Sequence, residues 1–261
     1  MTGSRPTDSP TTTSPTTTWV GTGWKMNKTL AEAGAYAQVL AATDPGRWPG
    51  VQPFILPPAT ALASVSAVLG PRSHILMGAQ NAHWEDDGAW TGEVSVPQVA
   101  DAGARIVEIG HSERRTFFGE TDETVNLKVK ATLRHGLTPL VCVGEPGDVF
   151  AAGRSVPHVL HQVRAALDGV GQTRSVLLAY EPIWAIGAGG RPAEPSDISA
   201  VFDALTAEWG DSLLGVLFGG SVTPGNALAT LDVDGVDGLF VGRAAWDVRG
   251  FIGLLDQVAG R

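Results

Sequence analysis

From Trp19 onward, short apolar runs alternate with longer stretches whose apolar positions recur at helical spacing, in a cycle of roughly 30 residues. The runs are TTTWVGTGW, QPFILPP, HILMGAQ, ARIVEIG, LTPLVCVGE, SVLLAYEP, LGVLFGG and DGLFVG. They are near-continuous rather than alternating, which predicts parallel strands covered on both faces. Between them lie helical patterns such as LAEAGAYAQVL, TDETVNLKVKATLRHG, VPHVLHQVRAALDGV and EPSDISAVFDALTAEW. Thr121 before Asp122 and Glu123, and Ser196 after Pro195, read as helix starts, and Gly136 reads as a stop. Eight strand–helix units predict an α/β protein with a single-domain (β/α)8 barrel over residues 19–261. A doubly wound open sheet is the alternative, but it usually brings fewer units or a second domain.

In such a barrel, chemistry sits at the carboxyl ends of the strands. That directs attention to Lys25, Gln80, His111, Glu145, Glu181, Ser221 and Gly242, each of which follows an apolar run.

Composition narrows the partners. Fourteen of the first eighteen residues are Thr, Ser or Pro, too polar to offset the entropy of ordering, so residues 1–18 are predicted to be a disordered tail. That segment has no apolar core of a secretory signal, and no later apolar run approaches a bilayer span. A formal charge of −9 argues against nucleic acid and acidic membranes as partners. It leaves room for an anionic small molecule held by a few aimed N–H groups and a lysine. Cys142 is the single cysteine, so no internal disulfide forms, which predicts a reducing, cytoplasmic setting.

His111 falls directly after the fourth strand, where Ser112 and Glu113 begin a short helix. The positive end of a helix dipole disfavours imidazolium, and a neutral imidazole can donate a hydrogen bond to a substrate oxygen. A lone histidine is nevertheless more often a hydrogen-bonded structural residue, and Glu113, Arg114 and Arg115 can form an ordinary ion-pair cluster. Glu181 follows the sixth strand, extended by Pro182 and close to a small flexible run from Ala185 to Gly190. A carboxylate beside a closable loop suits proton abstraction from carbon, since closure expels water and raises its basicity. A surface salt bridge is the plainer alternative.

LFGGSV and LFVGRA end strands seven and eight in glycine and open towards helices, the recurrent phosphate site of these barrels. Lys25 needs a partner, either an anionic substrate or a neighbouring glutamate. Asn27 is expected to cap the helix starting near Thr29. Cys142 is expected to be a packed thiol, Trp90 an interface anchor, and no cluster has the sequence spacing of a metal site.

Taken together, WKMN, GAQN, GAWTGE, GHSERR with FGE, YEPIWAIG, GGSV and DGLFVG closely resemble the triosephosphate isomerase family, in family order from about Trp19 to the end. That family is itself the standard illustration of a glutamate base with a neutral histidine, so these roles are carried over by likeness. The resemblance implies Glu181 as base, His111 as neutral hydrogen-bond donor and Lys25 as fixed positive charge, with Glu113 in support. It implies a phosphate grip from the Gly187 N–H, Ser221 and Gly242, with Arg243 beside them. It implies no cofactor, a phosphorylated three- or four-carbon sugar as substrate, and a homodimer through Trp90 and Thr91.

The chain also departs from the family pattern. Gly23 stands where the family has a substrate-contacting asparagine, Phe218 where it has tyrosine, Gly190 where it has lysine and Arg243 where it has a second glycine. GTGWKMNKTLAEA, NAHWEDDGAWTGE and VGRAAW are similar to the branch associated with erythritol breakdown, which interconverts L-erythrulose 1-phosphate and D-erythrulose 4-phosphate. The tetrulose carries one more hydroxymethyl group than a triose phosphate, and Gly23 is expected to make room for it. The alternatives are triosephosphate isomerase activity proper and a non-catalytic phosphosugar-binding barrel; intact Lys25, His111 and Glu181 speak against the latter.

Overall fold

A computed structural model describes residues 17–186 and 190–261. The proposed tail therefore lies outside the described residues up to position 16, as does Gly187. Eight parallel strands close into a barrel in chain order, the (β/α)8 or TIM architecture expected from the pattern. They are β1 (Thr18–Gly23), β2 (Val51–Leu56), β3 (Leu76–Ala79), β4 (Ile106–Ile109), β5 (Thr138–Val143), β6 (Leu177–Tyr180), β7 (Gly215–Phe218) and β8 (Gly238–Val241). Closure comes from β1 against β8, Trp19 opposite Gly238 and Thr22 opposite Val241. The tail expected through residue 18 is shorter by at least its last residue. Thr18 already pairs with Val51, and its N–H donates to Gly50 O at 2.9 Å.

The helices are α1 (Leu30–Ala41), α2 (Leu62–Leu69), α3 (Val96–Asp101), α4 (Ser112–Phe117), α5 (Asp122–Arg134), α6 (Gly147–Ala151), α7 (Ser155–Ala166), α8 (Pro195–Trp209), α9 (Ala227–Leu231) and α10 (Val248–Ala259). Their ends follow local chemistry. Thr121 caps α5, and Gly136 turns the chain just past its end at φ 71°. Pro195 sits in the first turn of α8, where its missing N–H costs nothing. One expectation fails: α1 is capped by Thr29 in a reciprocal pair with Glu32, while Asn27 donates to Trp24 O at 2.8 Å. Thr29 holds the cap position, and the Asn27 amide is spent on the Trp24 carbonyl.

Strand alternation sorts the core into two layers. Val20, Ile55, Val107, Ile109, Val141 and Leu178 face outward against the helices. Phe54, Leu56, Ile106, Leu140, Cys142, Leu177, Leu217 and Phe240 fill the barrel itself. Because side chains alternate along a strand, Glu108 shares the inward parity of Ile106, and Gly23 lies at the top of the same interior. No helix among the described residues is long and apolar enough to cross a membrane.

Candidate active site

Past the end of β1 the chain turns sharply. Trp24 is fully buried, and Lys25 takes a left-handed backbone at φ 53°. For a residue with a Cβ this conformation costs about 1–2 kcal/mol, so the surroundings must enforce it. Asn27 holds Trp24 O, while the Gln80 amide donates to Lys25 O at 3.0 Å and Leu56 O at 2.9 Å. Gln80 is thus a brace for the lysine turn. The Lys25 ammonium reaches Glu113 Oε1 at 2.5 Å, over the mouth of the barrel.

His111 ends the β4 segment and caps α4. The backbone N–H of Glu113 donates to its Nδ1 at 3.1 Å, which requires that nitrogen to be unprotonated and sends any N–H to Nε2. Nε2 lies 3.6 Å from Glu181 Oε2. Both side chains are buried, at 7% and 3% exposure, and Glu181 Oε2 has no hydrogen-bond partner among the described residues. The carboxylate fits because its neighbour just past β7 is small: a Cβ on Gly219 would lie 2.6 Å from Glu181 Cγ. Burial raises the Glu181 pKa, offset in part by His111 and Lys25, as suits a base. For His111, burial lowers the pKa while the charges of Glu181 and Glu108 raise it further, so the net direction is upward. Those charges act on an imidazole whose Nδ1 lone pair is already taken, and the hydrogen-bond geometry specifies the neutral tautomer.

Glu108 is not one of the strand-end candidates. It sits inside β4, points into the barrel, and is 5% exposed. Ligand atoms of Glu108, His111 and Glu181 lie within 4.8 Å of one another. The sequence signal was present: ARIVEIG carries an acid in the middle of an otherwise apolar strand, and such residues are rarely buried without a reason. Burial pushes the Glu108 pKa up to about 7, against the pull of His111 and with the push of Glu181.

The folded protein therefore binds this proton more tightly than the unfolded chain does. Its contribution to stability is greatest below about pH 4.5 and is lost as pH rises through 7, a change of about 3 kcal/mol. Between pH 4.5 and 8, urea unfolding of the native protein should lose that much more stability than Glu108→Gln does. Parallel stability–pH curves for the two would show that Glu108 carries no such burden.

A cleft of about 660 Å³ joins these groups to the ends of β7 and β8. Gly220, Ser221, Gly242 and Arg243 line its far end. Ser221 Oγ donates to Ala185 O, tying this wall to the start of the expected lid. Arg243 is exposed and opens the short turn Arg243–Ala245. Glu145, another strand-end candidate, is taken up by neighbouring side chains: it accepts from Ser155 Oγ at 3.1 Å, Tyr180 OH at 3.1 Å and Trp184 Nε1 at 2.8 Å.

At the inner end, Gly23 is buried and its carbonyl accepts from Trp246 Nε1 at 3.1 Å. A Cβ there would meet Phe240 Cζ at 3.2 Å and Glu108 Oε2 at 3.7 Å. Away from the cleft, Trp90 is 48% exposed and rests on His83 at 4.5 Å between ring centres; Thr91 is exposed.

The spacing of Glu108, His111 and Glu181 is compatible with a divalent cation, although sequence spacing suggested none. With His111 Nδ1 committed to the Glu113 N–H, only Nε2 is left to contribute. The same arrangement can instead move protons. A buried carboxylate of raised pKa and an N–H donor lie side by side at the base of the cleft, with an ammonium nearby and glycine-rich strand ends at the far end.

A family model described as triosephosphate isomerase matches residues 18–258. The chain is 54% identical to an L-erythrulose-1-phosphate isomerase of Mycolicibacterium smegmatis, over 92% of each chain. It is 50% identical to the enzyme of that name in Rhizobium etli, again over 92% of each. For that of Brucella abortus the figure is 46%, covering 92% of this chain and 96% of the relative. Among solved structures, triosephosphate isomerase from Bartonella henselae superimposes with a TM-score of 0.82 at 31% identity, over 92% of this chain and 98% of the other.

Proposed function

Since the chain belongs to the triosephosphate isomerase family, we propose that it isomerises a phosphorylated four-carbon ketose, interconverting L-erythrulose 1-phosphate and D-erythrulose 4-phosphate. Glu181 removes the proton from carbon 3, leaving an enediolate across carbons 2 and 3, and returns a proton to carbon 2. Neutral His111 donates from Nε2 to the two oxygens in turn, as the hydroxyl proton passes from one to the other. Lys25 supplies fixed positive charge to the developing oxyanion, and Glu113 holds its ammonium. Ser221, the Gly242 backbone and Arg243 face the phosphate, with the Gly187 N–H completing the grip when the lid closes. No cofactor enters this scheme.

The observation that carries the proton transfer is the buried pair of Glu181 Oε2 and His111 Nε2, 3.6 Å apart, with Nδ1 already accepting. The missing side chain at Gly23, on the wall of the cleft, supports the larger substrate, as do the names of the relatives. The test is kcat/KM for L-erythrulose 1-phosphate against glyceraldehyde 3-phosphate. A clear preference for the tetrulose is expected. A preference for the triose would make the chain an ordinary triosephosphate isomerase, and no proton exchange into any ketose phosphate would leave only a binding barrel.

A homodimer through the loop of Trp90 and Thr91 is part of the same reading. Trp90 is half-exposed at the loop, and Met26, beside Lys25, is 97% exposed. Covering them would shield the lysine turn. Sedimentation should report a dimer at micromolar concentration, shifted towards monomer by Trp90→Ala; a monomeric native protein would remove this expectation.

A further inference from the structure

The catalytic scheme uses Lys25, His111 and Glu181 and leaves Glu108 without a task. A carboxyl group in an apolar barrel core is expensive to keep unless something there needs it. Among the described residues its only hydrogen-bond partner is the Cys142 thiol, a weak donor at 3.9 Å. The nearest ammonium does not serve it, because Lys25 is committed to Glu113 at 2.5 Å. Oε2 instead borders the place where Gly23 lacks a side chain, 3.7 Å from where a Cβ would be, with the Phe240 ring as the opposite wall. Phe240 is backed in turn by Phe54, with ring centres 5.8 Å apart and nearly parallel, so that wall is firm. Glu108, Phe240 and Gly23 line the same cleft as His111 and Glu181.

The inner end of that cleft therefore has one polar wall and one flat apolar wall, beside the reacting groups and away from Ser221 and Arg243. That is the chemistry of a hydroxymethyl group, an apolar carbon bearing one hydroxyl. We propose that Glu108 is a specificity-determining residue that hydrogen-bonds the terminal hydroxyl of a four-carbon ketose phosphate, whose hydroxymethyl carbon packs against Phe240 in the part of the cleft that Gly23 leaves a side chain wider. The assignment rests on the tetrulose reading above.

Either protonation state of Glu108 serves. The carboxylate accepts from the hydroxyl, and the carboxylic acid donates to it. A pKa near 7 leaves both forms present at neutral pH. The contact also orients the bond between carbons 3 and 4, so that the hydrogen on carbon 3 is presented to Glu181 rather than turned away. A triose phosphate has nothing to place there and leaves Glu108 unpaired, which penalises it in the way a site built for a hydroxyl rejects an analogue lacking one.

The experiment compares L-erythrulose 1-phosphate with its 4-deoxy analogue, which keeps the carbon skeleton and loses only the terminal hydroxyl. Native protein should favour the hydroxylated substrate in kcat/KM by roughly 10- to 100-fold. In Glu108→Leu that ratio should collapse towards one, and Glu108→Gln, which keeps a hydrogen-bonding head, should restore part of it. Circular dichroism of both variants separates misfolding from loss of recognition, and a folded Gln variant suffices if Leu does not fold. An unchanged ratio in both folded variants overturns the assignment, as does an equal fall for the two substrates, which would make Glu108 a partner of His111 rather than of the hydroxyl. If native protein prefers glyceraldehyde 3-phosphate, the functional reading fails instead, and that outcome is measured independently on the unmutated chain.

Discussion

Glu181→Gln is expected to lower kcat by about 10³- to 10⁴-fold while changing the affinity for a phosphorylated substrate little. The amide keeps the shape of the carboxylate but has no basic oxygen to take a proton from carbon. The site depends on that basicity: Glu181 is 3% exposed, its pKa is raised by burial, and Oε2 has no hydrogen-bond partner among the described residues. An unpaired, desolvated oxygen is poised to react, and glutamine would leave an amide in the same confined place. The proposed phosphate grip is elsewhere, at Ser221, Gly242 and Arg243 along the far end of the cleft. Single-turnover rates and equilibrium binding of an unreactive phosphate analogue separate the two effects. Residual turnover within tenfold of native would show that another group, with Glu108 the nearest alternative, removes the proton.

Gly23→Asn should move substrate preference towards the triose by roughly 100-fold, read as the ratio of kcat/KM values. Even a Cβ at this position meets Phe240 at 3.2 Å, tighter than ordinary contact, and the amide beyond it would occupy the space between Phe240 and Glu108. Phe240 is backed by Phe54, so the ring can give only slightly. A four-carbon substrate then loses the room for its last carbon, worth about 1–3 kcal/mol for a misfitted methylene. A triose regains a polar neighbour instead, worth about 0.5–1.5 kcal/mol. Trp246 complicates nothing, since it holds the Gly23 carbonyl, which the substitution keeps. A ratio that does not move would mean that chain length is gated elsewhere, and would weaken the part given to Gly23 in the tetrulose reading.

Most of the architecture could be read along the chain. Each of the eight apolar runs became a strand, because strands buried on both faces must be apolar throughout, a property visible in a window of a few residues. Thr121 and Gly136 marked the bounds of α5 for equally local reasons. Local reading failed where several candidates competed for one task. Asn27 and Thr29 are both good caps, and the geometry of the Lys25 turn decided between them. Glu145 occupies a strand end as Glu181 does, yet donors from Ser155, Tyr180 and Trp184 already engage it. Periodicity had no means of separating these two glutamates. Glu108 is illegible for the opposite reason: within its own strand it is only an anomaly, and its surroundings depend on Gly23, 85 positions earlier, and Phe240, 132 later.

The sequence by itself determined the barrel, its strand order and the set of polar residues at the strand ends, since these follow from burial, alternation and turn chemistry over short spans. The tertiary structure alone decided which of those residues meet. It tied Lys25 to Glu113, set His111 Nε2 against Glu181, and put Glu108 beside the gap left by Gly23. Closing a sheet into a barrel brings the tops of distant strands within a few ångströms of one another, and no local pattern encodes those distances. Gly23 alone is a missing side chain; only the folded barrel shows that its absence widens the cleft beside Phe240 and Glu108.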